Sequence, residues 1–472
     1  MATKVLEECS ISPAGPPITS PPSPPSSTAL PLTFLDIPWL FFPPSRPLFF
    51  YNFPHPLTHF TSTLVPKLKL SLSLALRHFY PFAAALLLPP IPPSKPHIVA
   101  GPHDSVEFTV AESDSDFDQL SGLYSQIDAA ELRALAPPLL PRAARANMVP
   151  LMAVRVTVFP NSGFCLGLAL NHVVADARTF NNFMKLWSTF CVDHHHDRSS
   201  LPCYDRTVIV DTRGLEGVFL NEWWKRRTLS SSPSRVLDNG ACDDELVRTS
   251  FVLGFGEMDK IKSRIRVLNL EQQPKHSQLL DLISPYVVTC AFLWVCVLKT
   301  QERVGQDSAL HHNDEDPNYF GFIAGGLTRF EHPVPVTYLG NCVGFGRAKA
   351  SRGELLGEYG LVVAARAIKR TVIRLDEGFL GEADRWISEW AELIGSDIHV
   401  MACGSPKVDF YGRDFGWGKP KKIEEIEIDS TKAISLSESR DVKGGIEIGL
   451  VLPKLQMDAF TLLFKEGLMA CY

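Results

Sequence analysis

The chain has 472 residues, 45% of them hydrophobic and 21% charged, with 29 Phe, 10 Tyr and 8 Trp, which excludes disorder, collagen and coiled coil for its bulk and allows two or three domains. Its 46 basic and 52 acidic residues leave a formal charge of −6 with no long basic block, so the expected partner is a small neutral or anionic molecule, not nucleic acid or a membrane surface. Ten scattered cysteines without a CxxC pair argue against zinc and against a disulfide framework, and read as reduced thiols of a cytosolic protein.

Residues 1–27 carry no basic region followed by an apolar one, so they do not read as a secretory signal; 21 of the 37 prolines fall in the first 100 residues, and 11–27 are expected to be loosely draped. From Leu30 the run LPLTFLDIPWLFFPPSRPLFFY alternates prolines with large apolar groups, which suits an extended segment laid on a hydrophobic surface. Leu64 to Leu88 reads as one amphipathic helix, with Leu68, Leu72, Leu76 and Phe79 at helical spacing and Pro81 near its end. Val154–Phe159 and Phe164–Asn171 read as strands of a hairpin turned by Pro160-Asn161-Ser162-Gly163. A helix follows, with Phe180, Phe183, Met184, Trp187, Phe190 and Cys191 on one face. Polar stretches at 193–202, 229–246 and 301–318 mark breaks, the first a candidate crossover between two halves. The apolar run Tyr286–Leu298 has 13 residues, short of the roughly 18 of a membrane span, and reads as a buried helix. Leu355–Leu375 and the stretch around Trp386, Ile387, Trp390, Leu393 and Ile394 are helical in pattern, and the C-terminal third alternates like strands with glycine turns.

No GxSxG elbow, GxxxxGK[ST] loop or strand-linked GxGxxG is present, and the DFG at Asp414–Gly416 lacks the other parts of a kinase. The positive candidate is His172-Val173-Val174-Ala175-Asp176. With 14 histidines the spacing arises by chance, and His312 with Asp316 repeats it in a polar loop; His172 instead ends an apolar strand just before an amphipathic helix. Such a junction can present a catalytic base to a cleft or hold a satisfied core histidine. His194-His195-His196 are adjacent on a polar stretch, cannot easily converge on one ion and read as a surface linker, so no metal is expected. In Asp414-Phe415-Gly416-Trp417-Gly418, two glycines bracketing a tryptophan require tight turns beside a large apolar group. The plainer reading is a turn with Asp414 held by an arginine and Trp417 in the core. Lys419, Lys421 and Lys422 either attract a phosphorylated ligand or are simply solvated.

The pairing of His172-xxx-Asp176 with DFGWG some 240 residues on resembles the plant BAHD acyltransferase family, and LKLSLSLALRHFYPFAAAL, YDRTVIVD, SPYVVTCAFLWVCVLK and Tyr338-Leu339-Gly340-Asn341-Cys342 resemble its other blocks almost end to end. Within it, LPLTFLDIPWLFFPPSRPLFFY and YLGNC resemble the subgroup that acylates flavonoid and phenolic glycosides. Leu339 stands where that subgroup usually has phenylalanine, and Ala84 and Ala177 where glycine is common. The resemblance implies an α/β fold of two similar chloramphenicol-acetyltransferase-like domains with a central solvent channel. Residues 1–200 would form the first domain, with 352–400 crossing over to it, and 201–472 the second. It also implies transfer of an acyl group, malonyl first and hydroxycinnamoyl as the alternative, from coenzyme A to a sugar hydroxyl of a flavonoid, anthocyanin or phenolic glucoside. Acyl-CoA would be a co-substrate with no bound cofactor, and the protein a cytoplasmic monomer. By the same resemblance His172 is the general base, Asp176 fixes its loop, and Asp414 is essential either as an acid/base group or by holding the turn with Gly416, Trp417 and Gly418. Candidates for the acyl and coenzyme A contacts are Arg178, Lys260, Lys262, Ser284 and Ser405, with Arg178 reading a carboxylate or phosphate or forming a surface ion pair. Phe34, Asp36 and Trp39 are candidates for the acceptor wall, since a flat phenol needs stacking surface, though Phe34 and Trp39 serve equally as anchors of their segment. Two other readings share parts of the pattern: a protein of this fold kept for binding alone, and a condensation domain, which normally doubles the histidine where this chain has Asn171.

Overall fold

The computed structural model describes residues 3–15, 28–139, 147–193, 201–229, 246–272, 279–305 and 313–471. The triplet His194–His196, His312 and most of the breaks at 11–27 and 229–246 lie outside them.

The hairpin positions everything else. Met152–Phe159 and Gly163–Leu170 pair antiparallel from Gly163↔Phe159 to Leu170↔Met152, and Asn161 takes the left-handed conformation its turn needs, at φ 65°. The two strands form the middle of a six-stranded sheet in the order Lys4–Ile11, Val106–Glu112, Met152–Phe159, Gly163–Leu170, Pro47–Asn52, Lys422–Glu425. All of Gly163–Leu170 is buried, which explains its continuous apolar run: a strand covered on both faces loses the polar alternation of a half-exposed one. One face is covered by two helices, Val65–His78 and Ala177–Val192, which pack on each other. The first ends at His78, well before Leu88; Pro81 falls in a 3₁₀ turn, Tyr80–Phe82, and a short strand, Ala85–Leu87, follows.

A second sheet has seven strands, in the order Val343–Ser351, Pro317–Gly325, Val400–Gly404, Ile434–Glu438, Ile446–Pro453, Leu246–Leu253, Ile127–Asp128. The apolar helix Pro285–Gly305 is its buried core helix, and among the described residues no helix is long and apolar enough to cross a membrane. A small four-stranded sheet completes the set. Each large sheet takes a strand from the other half of the chain: Lys422–Glu425 joins the first and Ile127–Asp128 the second. In the segment 352–400, Gly360–Glu377 packs on Pro285–Gly305 and Val343–Ser351, so it stays with the second sheet because its apolar stripe (Val362, Ala365, Ile368) is buried there. Trp386–Leu393 reaches across, touching both Pro317–Gly325 and the 3₁₀ turn Ile37–Phe41. That turn interrupts the proline-rich run, which is extended on either side of it at Thr28–Pro31 and Pro47–Asn52.

Candidate active site

A cavity of about 520 Å³ opens between the two large sheets. Leu170, His172, Ala175 and Arg178 line it from one side, Ile323, Val343, Met401, Ser435 and Gly449 from the other. His172 reaches it because the strand stops at Leu170. The Asn171 N–H donates to the Leu151 carbonyl (2.8 Å), its side chain accepts from the Val173 N–H (3.2 Å), and Asp176 then caps the helix by accepting from the Thr179 N–H (2.8 Å). Six residues, 171–176, thus turn the chain between two rigid elements, and HxxxD lies within them.

The other carboxylate oxygen of Asp176 accepts from the Cys342 N–H (3.0 Å) and from Arg178 Nη2 (3.3 Å). Arg178 Nη1 donates to the carbonyls of Val336 (2.7 Å) and Tyr338 (2.8 Å). Thr179 Oγ1 donates to the Gly340 carbonyl at 2.9 Å. One helix N-terminus therefore clamps the segment 336–342 against the histidine, and Asp176 does this with both oxygens engaged.

The clamped segment delivers Asn341, which is completely buried. Its Nδ2 donates to Asp36 Oδ1 and to the His172 carbonyl, both at 2.9 Å, and its Oδ1 lies 3.1 Å from His172 Nδ1. With the Val173 carbonyl at 3.4 Å, three acceptors around Nδ2 fix which way the amide points, so Oδ1 faces the ring and Nδ1 must carry the hydrogen. Nε2 is left with the lone pair, the form a general base needs. Asp36, also completely buried, is held by the Thr33 N–H (2.7 Å), Thr33 Oγ1 (2.8 Å) and the Asn341 N–H (3.0 Å), and Arg206 Nη1 lies 3.5 Å from it. The same Arg206 nitrogen donates to the Tyr338 hydroxyl and the Leu339 carbonyl, both at 2.8 Å. Burial pushes the His172 imidazole down to about 4, against the opposing pull of Asp176, Asn341 and Asp36, so the ring is neutral at pH 7.

The far wall is acidic. Glu424, Glu425, Glu427, Glu438 and Glu447 all line it. Although burial opposes it, Lys422 and Arg248 hold Glu424 below its ordinary range; burial raises Glu447 to about 7. Glu427 accepts from the Ser45 hydroxyl (3.3 Å), and Ser45 in turn bridges to Leu170, two residues before His172.

Of the other residues expected at the site, Ser405 lines the cavity, its Oγ accepting from the Lys407 N–H at 3.3 Å. Trp39 also lines it, whereas Phe34 and Asp36 are buried and are not among its lining residues. Lys260 and Lys262 lie on the helix Phe255–Gln272, and the exposed Ser284 caps Pro285–Gly305 through the Val287 N–H (3.3 Å); none of the three lines the cavity. Asp414 is exposed and also lies outside it. Its Oδ1 accepts from the N–H groups of Gly416 (2.7 Å) and Gly418 (3.0 Å), not from an arginine, and both glycines have positive φ, 96° and 93°. Phe415 packs edge-on against Trp187 and Trp417 against Phe53 and Phe164, so the DFGWG loop pins the crossing strand to the first sheet. Lys421 pairs with Asp118 (2.5 Å) and Lys422 with Glu424 (3.0 Å). Among the described residues no group of His, Cys, Asp or Glu is arranged to hold a metal ion.

The model of the Transferase family matches residues 17–466. The chain is 36% identical over 482 residues to an Arabidopsis thaliana coumaroyl-CoA:anthocyanidin 3-O-glucoside-6''-O-coumaroyltransferase, covering 98% of this chain and 97% of the relative. It is 35% identical over 476 residues to a Dahlia pinnata malonyl-coenzyme A:anthocyanin 3-O-glucoside-6''-O-malonyltransferase, with the same coverage. The crystal structure of vinorine synthase shares the fold at a TM-score of 0.67 and 19% identity, covering 97% of this chain and 96% of that one.

Proposed function

The chain belongs to the Transferase (BAHD) family, and from that premise we propose that it moves an acyl group from coenzyme A to a sugar hydroxyl of an anthocyanin or phenolic glucoside. The observation that carries the reading is His172 at the cavity between the sheets, with Nδ1–H committed to Asn341 and Nε2 unprotonated. Nε2 takes the proton of the sugar hydroxyl as that oxygen bonds to the thioester carbonyl carbon. The tetrahedral intermediate then breaks its carbon–sulfur bond, and the coenzyme A thiolate recovers the proton from Nε2. No acyl-enzyme is needed. Asp176 and Asp414 position loops in this reading and exchange no protons.

For the donor, the charges along the cavity support a neutral hydroxycinnamoyl group over malonyl. Arg178 is taken up by two carbonyls and Asp176, Arg329 by Asp376 at 2.8 Å, and Lys422 and Arg248 by Glu424 at 3.0 and 2.8 Å, so these cations are already committed. The exposed Lys407, which also lines the cavity, is the cation that would serve a malonyl carboxylate or a coenzyme A phosphate. Location in the cytoplasm as a monomer goes with the reading, and the nine described cysteines, all unpaired, support a reducing compartment. The test offers p-coumaroyl-CoA, malonyl-CoA and acetyl-CoA to a panel of anthocyanidin and phenolic glucosides with mass-spectrometric readout. A coumaroyl ester is expected. A malonyl ester as the main product overturns the donor and keeps the reaction; no ester from any donor overturns the function in favour of a binding protein.

A further inference from the structure

Trp39 was a candidate for the acceptor wall, but its indole lies against the histidine: the two rings are parallel within 10°, with centroids 3.5 Å apart. The chain builds this contact deliberately. Asp36 immediately precedes the 3₁₀ turn Ile37–Phe41, and the Trp39 N–H donates to the Asp36 carbonyl at 3.2 Å. In such a helix residues three apart eclipse one another, so Asp36 and Trp39 leave the turn on the same side. Asp36 reaches the imidazole through Asn341, at its edge, and Trp39 meets its face. The indole is in turn held by Trp390, 5.2 Å away, and by Phe42, 4.9 Å away, and it is only 5% exposed. A packed aromatic shell of this kind fixes the indole more tightly than a face meant to open to a sugar would need.

We propose that Trp39 is a positioning residue for the base, which holds the imidazole in plane and stabilises the imidazolium formed during acyl transfer by presenting its π face to it. The proposal rests on the reading of His172 as general base. An aromatic face attracts a cation most strongly where water is excluded, and this one is desolvated. The other charged groups that face the ring are Asp36 behind Asn341 and Asp176 on the following turn, each paired, with Arg206 and Arg178 respectively. Both anions are thus partly neutralised, and the indole face adds to the pull that they and Asn341 Oδ1 exert on a protonated ring.

The experiment compares Trp39→Phe with Trp39→Leu in the full chain. Phenylalanine keeps a π face and leucine keeps apolar bulk without one. The expected result is a kcat loss on the order of 10-fold for Leu, most of it recovered in Phe, with the acceptor KM within about twofold in both. The acid limb of the kcat profile, and the pKa of the imidazole followed by NMR titration, should lie lower in the Leu variant than in Phe, because the protonated ring has lost its partner. Equal kcat and equal imidazole pKa in the two variants would overturn the proposal, as would a loss confined to the acceptor KM, which would return Trp39 to the acceptor wall. His172→Ala is assayed beside them: an active His172→Ala protein sinks the base reading itself, whatever the Trp39 variants do.

Discussion

Replacing Asn341 by alanine removes four hydrogen bonds at once: from Nδ2 to Asp36 and to the His172 carbonyl (2.9 Å each), from Nδ2 to the Val173 carbonyl (3.4 Å), and from His172 Nδ1 to Oδ1 (3.1 Å). Asp36 is not orphaned, since Thr33, the residue-341 N–H and Arg206 still hold it, so the fold survives with a modest loss of stability. The imidazole fares worse. Its Nδ1–H loses its acceptor at the moment the ring becomes charged, and a hydrogen bond to a charged group is worth roughly 1.5–3 kcal/mol. At 1.36 kcal/mol per tenfold, kcat should fall roughly 10- to 150-fold. Steady-state kinetics at saturating acyl-CoA should show the loss in kcat with the acceptor KM within twofold, and a thermal melt should show that the protein is folded. A kcat within twofold of the parent, or a loss carried by KM, would refute the assignment of the tautomer to Asn341.

Asp414→Ala should lower stability by roughly 1 kcal/mol by freeing the two glycine N–H groups of the DFGWG turn, and Asp414→Asn should restore both stability and activity; an inactive, fully folded Asn variant would make Asp414 an acid/base group instead. Gly340→Ala places a Cβ 2.3 Å from Arg206 Nη1 at φ 137°, so denaturant melts should show a loss of roughly 1–3 kcal/mol; an unchanged midpoint would contradict the crowding. Because the imidazole is held near 4, kcat/KM should rise with pH through about 4 as the ring loses its proton, with no histidine limb near 6.5; a limb at 6.5 would mean the site is wetter than its packing implies.

His172 and Asp176 were legible because their spacing spans a strand end and a helix start, a local geometry that the sequence pattern itself reports. The same is true of the helix after them, whose apolar stripe Phe180, Phe183, Met184 and Trp187 is buried as its periodicity requires. The Arg206–Asp36–Asn341 chain was not legible in this way. Its members come from three distant segments, brought together only when the clamp of Asp176, Arg178 and Thr179 draws 336–342 onto the histidine. A signal did exist: a single aspartate inside LPLTFLDIPWLFF must find donors if the run is buried. The crossing of Lys422–Glu425 into the first sheet was equally hidden, since strand pairing between distant segments leaves no mark in local periodicity. The coenzyme A candidates Lys260, Lys262 and Ser284 rested on resemblance alone, and no feature of their local sequence tied them to the cavity.

In the proposed mechanism the Nε2 lone pair of His172 takes the hydroxyl proton. Single-turnover acyl transfer in His172→Gln, which keeps the side-chain bulk and removes the base, is compared with the parent protein using the same donor and acceptor. A rate loss of roughly 10²- to 10⁴-fold is expected, with donor binding unchanged. A glutamine variant that transfers the acyl group within tenfold of the parent rate would contradict it.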